Sequence, residues 1–140
     1  MNGMQYLTEI KVRGYHADFY GHVNNARYLE FFEEDRWAQL ESKIDLKKWA
    51  AQGIIFLVVN INVNYRLAVP VGETLLVTTD VEKIGKRSVV LQQKILLKES
   101  LAVAADALIT FVIADKSGRA VSMEGEMLRE IEKLRQAEPV

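Results

Sequence analysis

Hydrophobic and polar positions divide the chain into stretches of distinct period. Residues 7–13 alternate loosely, with the β-formers Thr8 and Val12 among them, and predict a first strand that ends at Gly14. From Asn25 to Glu41 the period lengthens to that of a helix. Leu29, Phe32, Arg36, Trp37 and Leu40 fall on one side, and Arg27, Glu30, Glu34 and Ala38 on the other. Asn24 is placed to cap that helix. Residues 42–53 form a charged connection with a short helical turn over 46–51, closed by Gly53. Residues 54–59 are then a continuous apolar run, and residues 60–66 alternate strictly, so together they predict one long strand with a polar face. Pro70-Val71-Gly72 breaks it. Three more strands are predicted over 73–83, 87–98 and 101–114, with turns at Gly85-Lys86 and Glu99-Ser100. Lys116-Ser117-Gly118 ends the last of them, and residues 121–125 show no clear period. Met127, Leu128, Ile131 and Leu134 then predict a terminal helix over 126–136.

This order is strand, long helix, then four strands joined by hairpin-length turns, with no repeat or linker. It predicts a single α+β domain over residues 1–140, the helix burying its apolar face on an antiparallel sheet. Glu33 and Arg36 lie near the inward side, three residues apart, and are expected to pair with each other. Phe31 falls toward the outer side, where it would pack against a partner subunit or a cover from the sheet. Asn60, Asn62 and Asn64 share one face of a strand that otherwise looks like an edge needing cover.

Composition narrows the functional classes. The formal net charge is −1, so nothing in the overall balance points to nucleic acid or an anionic membrane. There are no cysteines, which excludes disulfides, a thiol nucleophile and a cysteine-ligated zinc site, and suits a reducing cytoplasm. The first residues lack the basic and apolar regions of a signal peptide. The apolar run at 54–59 is far short of the roughly 20 residues that span a bilayer. A cytoplasmic location is therefore expected.

The polar chemistry is concentrated in residues 15–29, where His16, Asp18, His22, Asn24 and Asn25 lie in a short loop before the helix. Backbone N–H groups at a helix start are unpaired and the dipole there is positive. That setting suits a carbonyl oxygen that becomes negative during reaction. Asp commonly caps a turn, so Asp18 also has a purely structural reading. His16 reads as a strand-end or solvent histidine. His16, Asp18 and His22 do not follow a recognised metal-ligand spacing, and no metal or other cofactor is expected. Ser–His–Asp hydrolysis is not supported, since no Gly-x-Ser-x-Gly elbow is present.

The segment Asp18-Phe19-Tyr20-Gly21-His22-Val23-Asn24-Asn25-Ala26-Arg27-Tyr28-Leu29-Glu30 resembles the hotdog-fold acyl-CoA thioesterases of the 4-hydroxybenzoyl-CoA thioesterase class. Glu33-Glu34-Asp35-Arg36-Trp37 and Asn60-Ile61-Asn62-Val63-Asn64-Tyr65-Arg66 look most like the bacterial long-chain acyl-CoA thioesterase subgroup. The resemblance covers the chain from Thr8 to about Glu130. It implies a hotdog fold, a long central helix wrapped by an antiparallel five-stranded sheet, and hydrolysis of a fatty acyl-CoA of medium to long chain. Asp18 matches the catalytic carboxylate of that class, acting as general base or as nucleophile. Asn25 matches the position whose backbone N–H faces the thioester oxygen. Gly21 matches a family glycine between them, and His22 belongs to the motif in either a chemical or a structural role. Tyr28 and Glu34 are expected in the pocket. Asn60 is expected either at an interface or on the pantetheine amides. Arg66, Lys86 and Arg87, near strand ends, read either as ordinary surface charge at turns or as contacts to the CoA phosphates. The resemblance further implies a homodimer or homotetramer with the active site at the dimer interface. Two other readings fit the same motif: a thioesterase acting on acyl-carrier protein, and a non-catalytic acyl-CoA binding module. A hotdog dehydratase fits it poorly.

Overall fold

A computed structural model describes residues 6–135. The chain forms β1 (Tyr6–Lys11), α1 (Asn25–Lys43), α2 (Leu46–Ala51), β2 (Ile55–Tyr65), β3 (Thr74–Ile84), β4 (Ser88–Leu97), β5 (Val103–Ala114) and α3 (Gly125–Glu132). Every predicted element is present, and the boundaries move for local reasons. The first strand stops at Lys11 because the chain turns into a 3-10 turn, Gly14–His16, whose start is tied by the Arg13 N–H donating to His16 Nδ1 at 2.8 Å. The last strand starts at Val103 because Leu101, at φ 62°, belongs to the turn and donates its N–H to the Leu97 carbonyl. The terminal helix tightens into a 3-10 turn at Lys133–Arg135, and its expected last residue, Gln136, lies outside the described residues.

The five strands make one antiparallel sheet in the order β1-β3-β4-β5-β2. The expectation of hairpins throughout holds for β3-β4-β5 only. β2 and β3 are consecutive in sequence but sit three places apart, because the connection over residues 66–73 carries the chain past the start of α1. This leaves β2 bonded on one side to β5 and forming an edge among the described residues.

Helix α1 lies on one face of the sheet, and the pair is the α+β hotdog arrangement that the sequence resemblance implies. Its buried stripe is Tyr28, Phe31, Phe32, Asp35, Arg36, Gln39 and Leu40, a repeat of three and four residues. The sequence stripe was displaced by about one position. Phe31, expected outside, is 5% exposed and meets His16 edge-on, whereas Trp37, expected inside, is 44% exposed. Phe32 is fully buried among inward side chains that include Leu75, Val77, Leu91, Ile95 and Ile109. The expected Glu33–Arg36 pair is replaced by other partners. Arg36 Nη1 donates to Gln93 Oε1 at 3.1 Å, and Glu33 accepts from Trp37 Nε1 at 3.1 Å.

A bulge divides β2. Val58 pairs with Phe111 and Asn60 with Thr110, so Val59 has no opposite number on β5. On either side of it the inward residues change parity. Phe56 and Val58 stand beside buried Ile113 and Phe111, while Ile61, Val63 and Tyr65 stand beside buried Ile109, Ala107 and Ala105. Asn60, Asn62 and Asn64 therefore share the outer face with Thr110, Leu108 and Asp106.

Candidate functional site

The polar loop is built by its own backbone. Asp18 N–H donates to the His22 carbonyl and Gly21 N–H to the Asp18 carbonyl, closing a tight turn in which Gly21 takes φ +82°, a region open to glycine at little cost. Asp18 Oδ1 accepts the Tyr20 N–H at 2.9 Å, so the structural reading of Asp18 is correct as far as this oxygen goes. Oδ2 has no partner among the described residues. Asn24 caps α1 as expected, its side-chain oxygen accepting from Ala26 N–H at 2.8 Å and its carbonyl from Arg27 N–H. Neither bond uses the Asn25 N–H, which stays at the positive end of the helix.

His16 does not join this chemistry. It is buried, its Nδ1 is taken by Arg13, its carbonyl accepts the Asn24 N–H, and its ring packs on Phe31. Burial, and then the nearby Arg27 charge, hold it below the ordinary imidazole value. It anchors the loop to the helix. Among the described residues no group of three His, Asp or Glu side chains is close enough to hold a metal ion.

A cleft of about 480 Å³ opens between the loop, the start of α1 and the end of β2, and Asp18, Tyr20, His22, Asn25, Tyr28 and Tyr65 are among its lining residues. Tyr28 is 2% exposed and reaches the Leu67 carbonyl at 3.3 Å, while Tyr65 reaches the Asn25 carbonyl at 3.3 Å. Their rings meet edge-on at 5.3 Å. Burial, and then Tyr65, raise the Tyr28 hydroxyl above its ordinary value, so it stays protonated and serves as a hydrogen-bonding wall. Sequence reasoning missed Tyr65, although its place at the end of an alternating strand signals an inward side chain.

Six of the expected site residues thus come together in one chain: Asp18, Gly21, His22, Asn25, Tyr28 and Arg66, with Gly21 in the turn and the others lining the cleft. Arg66 is not a free cation there. Its Nε and Nη2 fork onto the two oxygens of Asp106, which also accepts from Asn64 and is held below the usual carboxylate range by that fork. Four residues are not brought to the cleft of their own chain. Glu34 is exposed and lies six residues beyond Tyr28, about 240° around the helix. Asn60 faces the outer side of the sheet because of the bulge at Val59. Lys86 and Arg87 precede Ser88, which shares a cross-strand column with Leu57, so they lie at the opposite end of the sheet from Tyr65, on the order of 25 Å away.

Residues 12–131 match the model of the thioesterase-like superfamily. The chain belongs to that superfamily. It is 47% identical over 128 residues to the long-chain acyl-CoA thioesterase FadM of Escherichia coli strain K12, covering 91% of this chain and 97% of that one. Among solved structures of thioesterases it is similar to the probable thioesterase YbaW of Escherichia coli, at 45% identity and a TM-score of 0.88 over 94% of this chain and all of that one. A 1,4-dihydroxy-2-naphthoyl-CoA thioesterase from Synechocystis, only 16% identical, shares the fold with a TM-score of 0.79 over 93% of this chain and 94% of that one. The hotdog architecture is therefore shared well beyond close relatives. Among the described residues no helix is long and apolar enough to cross a membrane.

Proposed function

We propose that this thioesterase hydrolyses medium- to long-chain fatty acyl-CoA to free acid and CoA, as one hotdog domain over residues 1–140, with Asp18 and the Asn25 N–H as its working groups. The observation that carries the reading is that one cleft holds a carboxylate with an unpartnered oxygen beside the unused N–H of a long helix start. The thioester carbonyl oxygen is held by the Asn25 N–H, where the helix dipole favours negative charge as the tetrahedral centre forms. Asp18 either takes a proton from water, whose hydroxide adds to the carbonyl carbon, or adds itself to give a mixed anhydride that water opens. In both routes the C–S bond breaks, the thiolate leaves, and water supplies the oxygen of the acid and the proton of the thiol. His22 borders the cleft and braces Asp18 through its carbonyl.

The edge strand β2 supports a homodimer. It exposes Leu57, Val58, Val59 and Ile61 together with unused backbone groups, a surface that native proteins cover. Its centre is Asn60, so antiparallel pairing of two β2 edges brings each Asn60 beside the two-fold axis. It also carries the partner's Lys86 and Arg87 toward the Tyr65 end of this chain, where they meet the CoA phosphates.

The test is thiol release from a panel of acyl-CoAs by wild type and Asp18→Asn. Turnover by wild type and a loss of about 10²–10⁴-fold in the variant is expected. Turnover that survives Asp18→Asn would overturn the assigned role. Tight binding without turnover would favour the binding module, and activity confined to acyl-carrier protein would redirect the substrate.

A further inference from the structure

Helix α1 and strand β2 line a second cavity beyond the cleft. Tyr28 and Tyr65 meet at one end, while at the other Arg36, Trp37 and Leu40 meet Phe56, Val58 and Phe111 around a second cavity of about 70 Å³. Leu29 on the helix, and Ile61 and Val63 on the strand, fall between these two ends along their elements, with Leu29 and Val63 partly buried against the core. From Asn25 to Arg36 is eleven residues, roughly 16 Å of helix. An extended hydrocarbon advances about 1.3 Å per carbon, so a chain held at Asn25 reaches Arg36 near roughly its twelfth carbon.

The walls of this cavity are mostly apolar, yet a guanidinium lines it. Arg36 is 9% exposed, and among the described residues one of its five N–H donors has a partner, Gln93 Oε1. Gln93 in turn donates to Thr79 Oγ1, which donates to the fully buried Asp35 carboxylate. On the other side Glu33, held by Trp37 Nε1, also lines the cavity. The cationic charge is thus already countered by the nearby Glu33 carboxylate, which would oppose a further anion there. A neutral oxygen would occupy the spare donors. A plain methyl terminus would leave them buried and unpaired.

We propose that Arg36 is a specificity-determining residue that reads a neutral oxygen, hydroxyl or oxo, near the far end of the acyl chain. This rests on the hydrolase reading for the position of the thioester. The volume of the cavity suits a chain terminus of a few heavy atoms rather than a further extension of the chain. Chains ending well short of it gain nothing from Arg36.

The experiment compares kcat/KM for dodecanoyl-CoA and 12-hydroxydodecanoyl-CoA with the full chain. Wild type is expected to favour the hydroxylated substrate by about tenfold, and Arg36→Met to bring the ratio to about one. A ratio near one in wild type, or an unchanged ratio in the variant, would overturn the proposal. Should Arg36→Met fail to fold by circular dichroism, Val58→Phe fills the cavity from the opposite wall and leaves the Gln93 bond in place. It is expected to lower kcat/KM for both twelve-carbon substrates about tenfold relative to hexanoyl-CoA. An unchanged chain-length profile would again overturn the proposal. Thiol release by wild type from any acyl-CoA separates the two levels: with release and a ratio of one, only the role of Arg36 falls, and with none the hydrolase reading falls as well.

Discussion

Two histidines six residues apart take opposite places in the loop, and only one of them borders the cleft. His22 is exposed there, whereas His16 is sealed beneath Tyr15 and Phe31 with its Nδ1 accepting a backbone N–H. Protonation of His16 would remove that acceptor and bury a charge. Its folded value lies below that of the unfolded chain, so over this window the unfolded state binds the extra proton and stability rises with pH. The contribution is complete above about pH 6.5 and is lost as pH falls through the folded value. Thermal melting between pH 8 and 5 is expected to show a steeper acid loss for wild type than for His16→Gln, which keeps an acceptor and cannot titrate. Parallel curves would show that the loop does not depend on this acceptor. The sequence already set His16 apart from His22 as a strand-end or solvent residue, but it did not show that His16 is buried, because what covers it is Phe31, a residue the helical wheel placed outside.

That misplacement belongs to helix α1 as an element. Three of the seven side chains it buries are polar or charged, Asp35, Arg36 and Gln39, so hydrophobicity alone points to the wrong arc. The elements themselves were legible from period and turn chemistry, and so were the cap and the helix start. The polar ladder was not, since each of its members looks like a surface residue until its partner on another strand is known. Its signal was faint: Gln93 sits between Leu91 and Ile95 on the inward parity of β4, and is fully buried. Gln93 joins three elements through the Phe32 carbonyl, Thr79 and Arg36. Gln93→Leu keeps the volume and removes all three bonds, which is expected to cost about 3 kcal/mol in denaturant unfolding. A cost under about 1 kcal/mol would mean that these groups find other partners.

For the whole molecule, the residues that failed to meet in one chain are informative. Lys86 and Arg87 are remote from their own cleft, and Asn60 stands at the middle of the exposed strand β2. One proposed symmetry operation accounts for the placement of all three, which spacing along a single sequence has no means of revealing. Val59→Lys places a charge close to that axis, where it meets its own copy. Analytical ultracentrifugation is expected to show a shift from dimer to monomer, and thiol release to fall about tenfold or more if the partner's Lys86 and Arg87 serve the cleft as proposed. A monomer with full activity would remove the partner from the site.

The bulge at Val59 imposes a rule on how this strand can change over time. One surplus residue lets the segment before it and the segment after it both turn their apolar side chains toward α1. Deleting a single codon there would evert one half, driving Asn60, Asn62 and Asn64 under the helix or expelling Phe56 and Val58. Exchanges of one apolar residue for another leave that arrangement intact. The strand can therefore drift in composition while its length stays locked, and a natural variant one residue shorter between Phe56 and Tyr65 would have to rebuild both the packing on α1 and the proposed subunit contact at once.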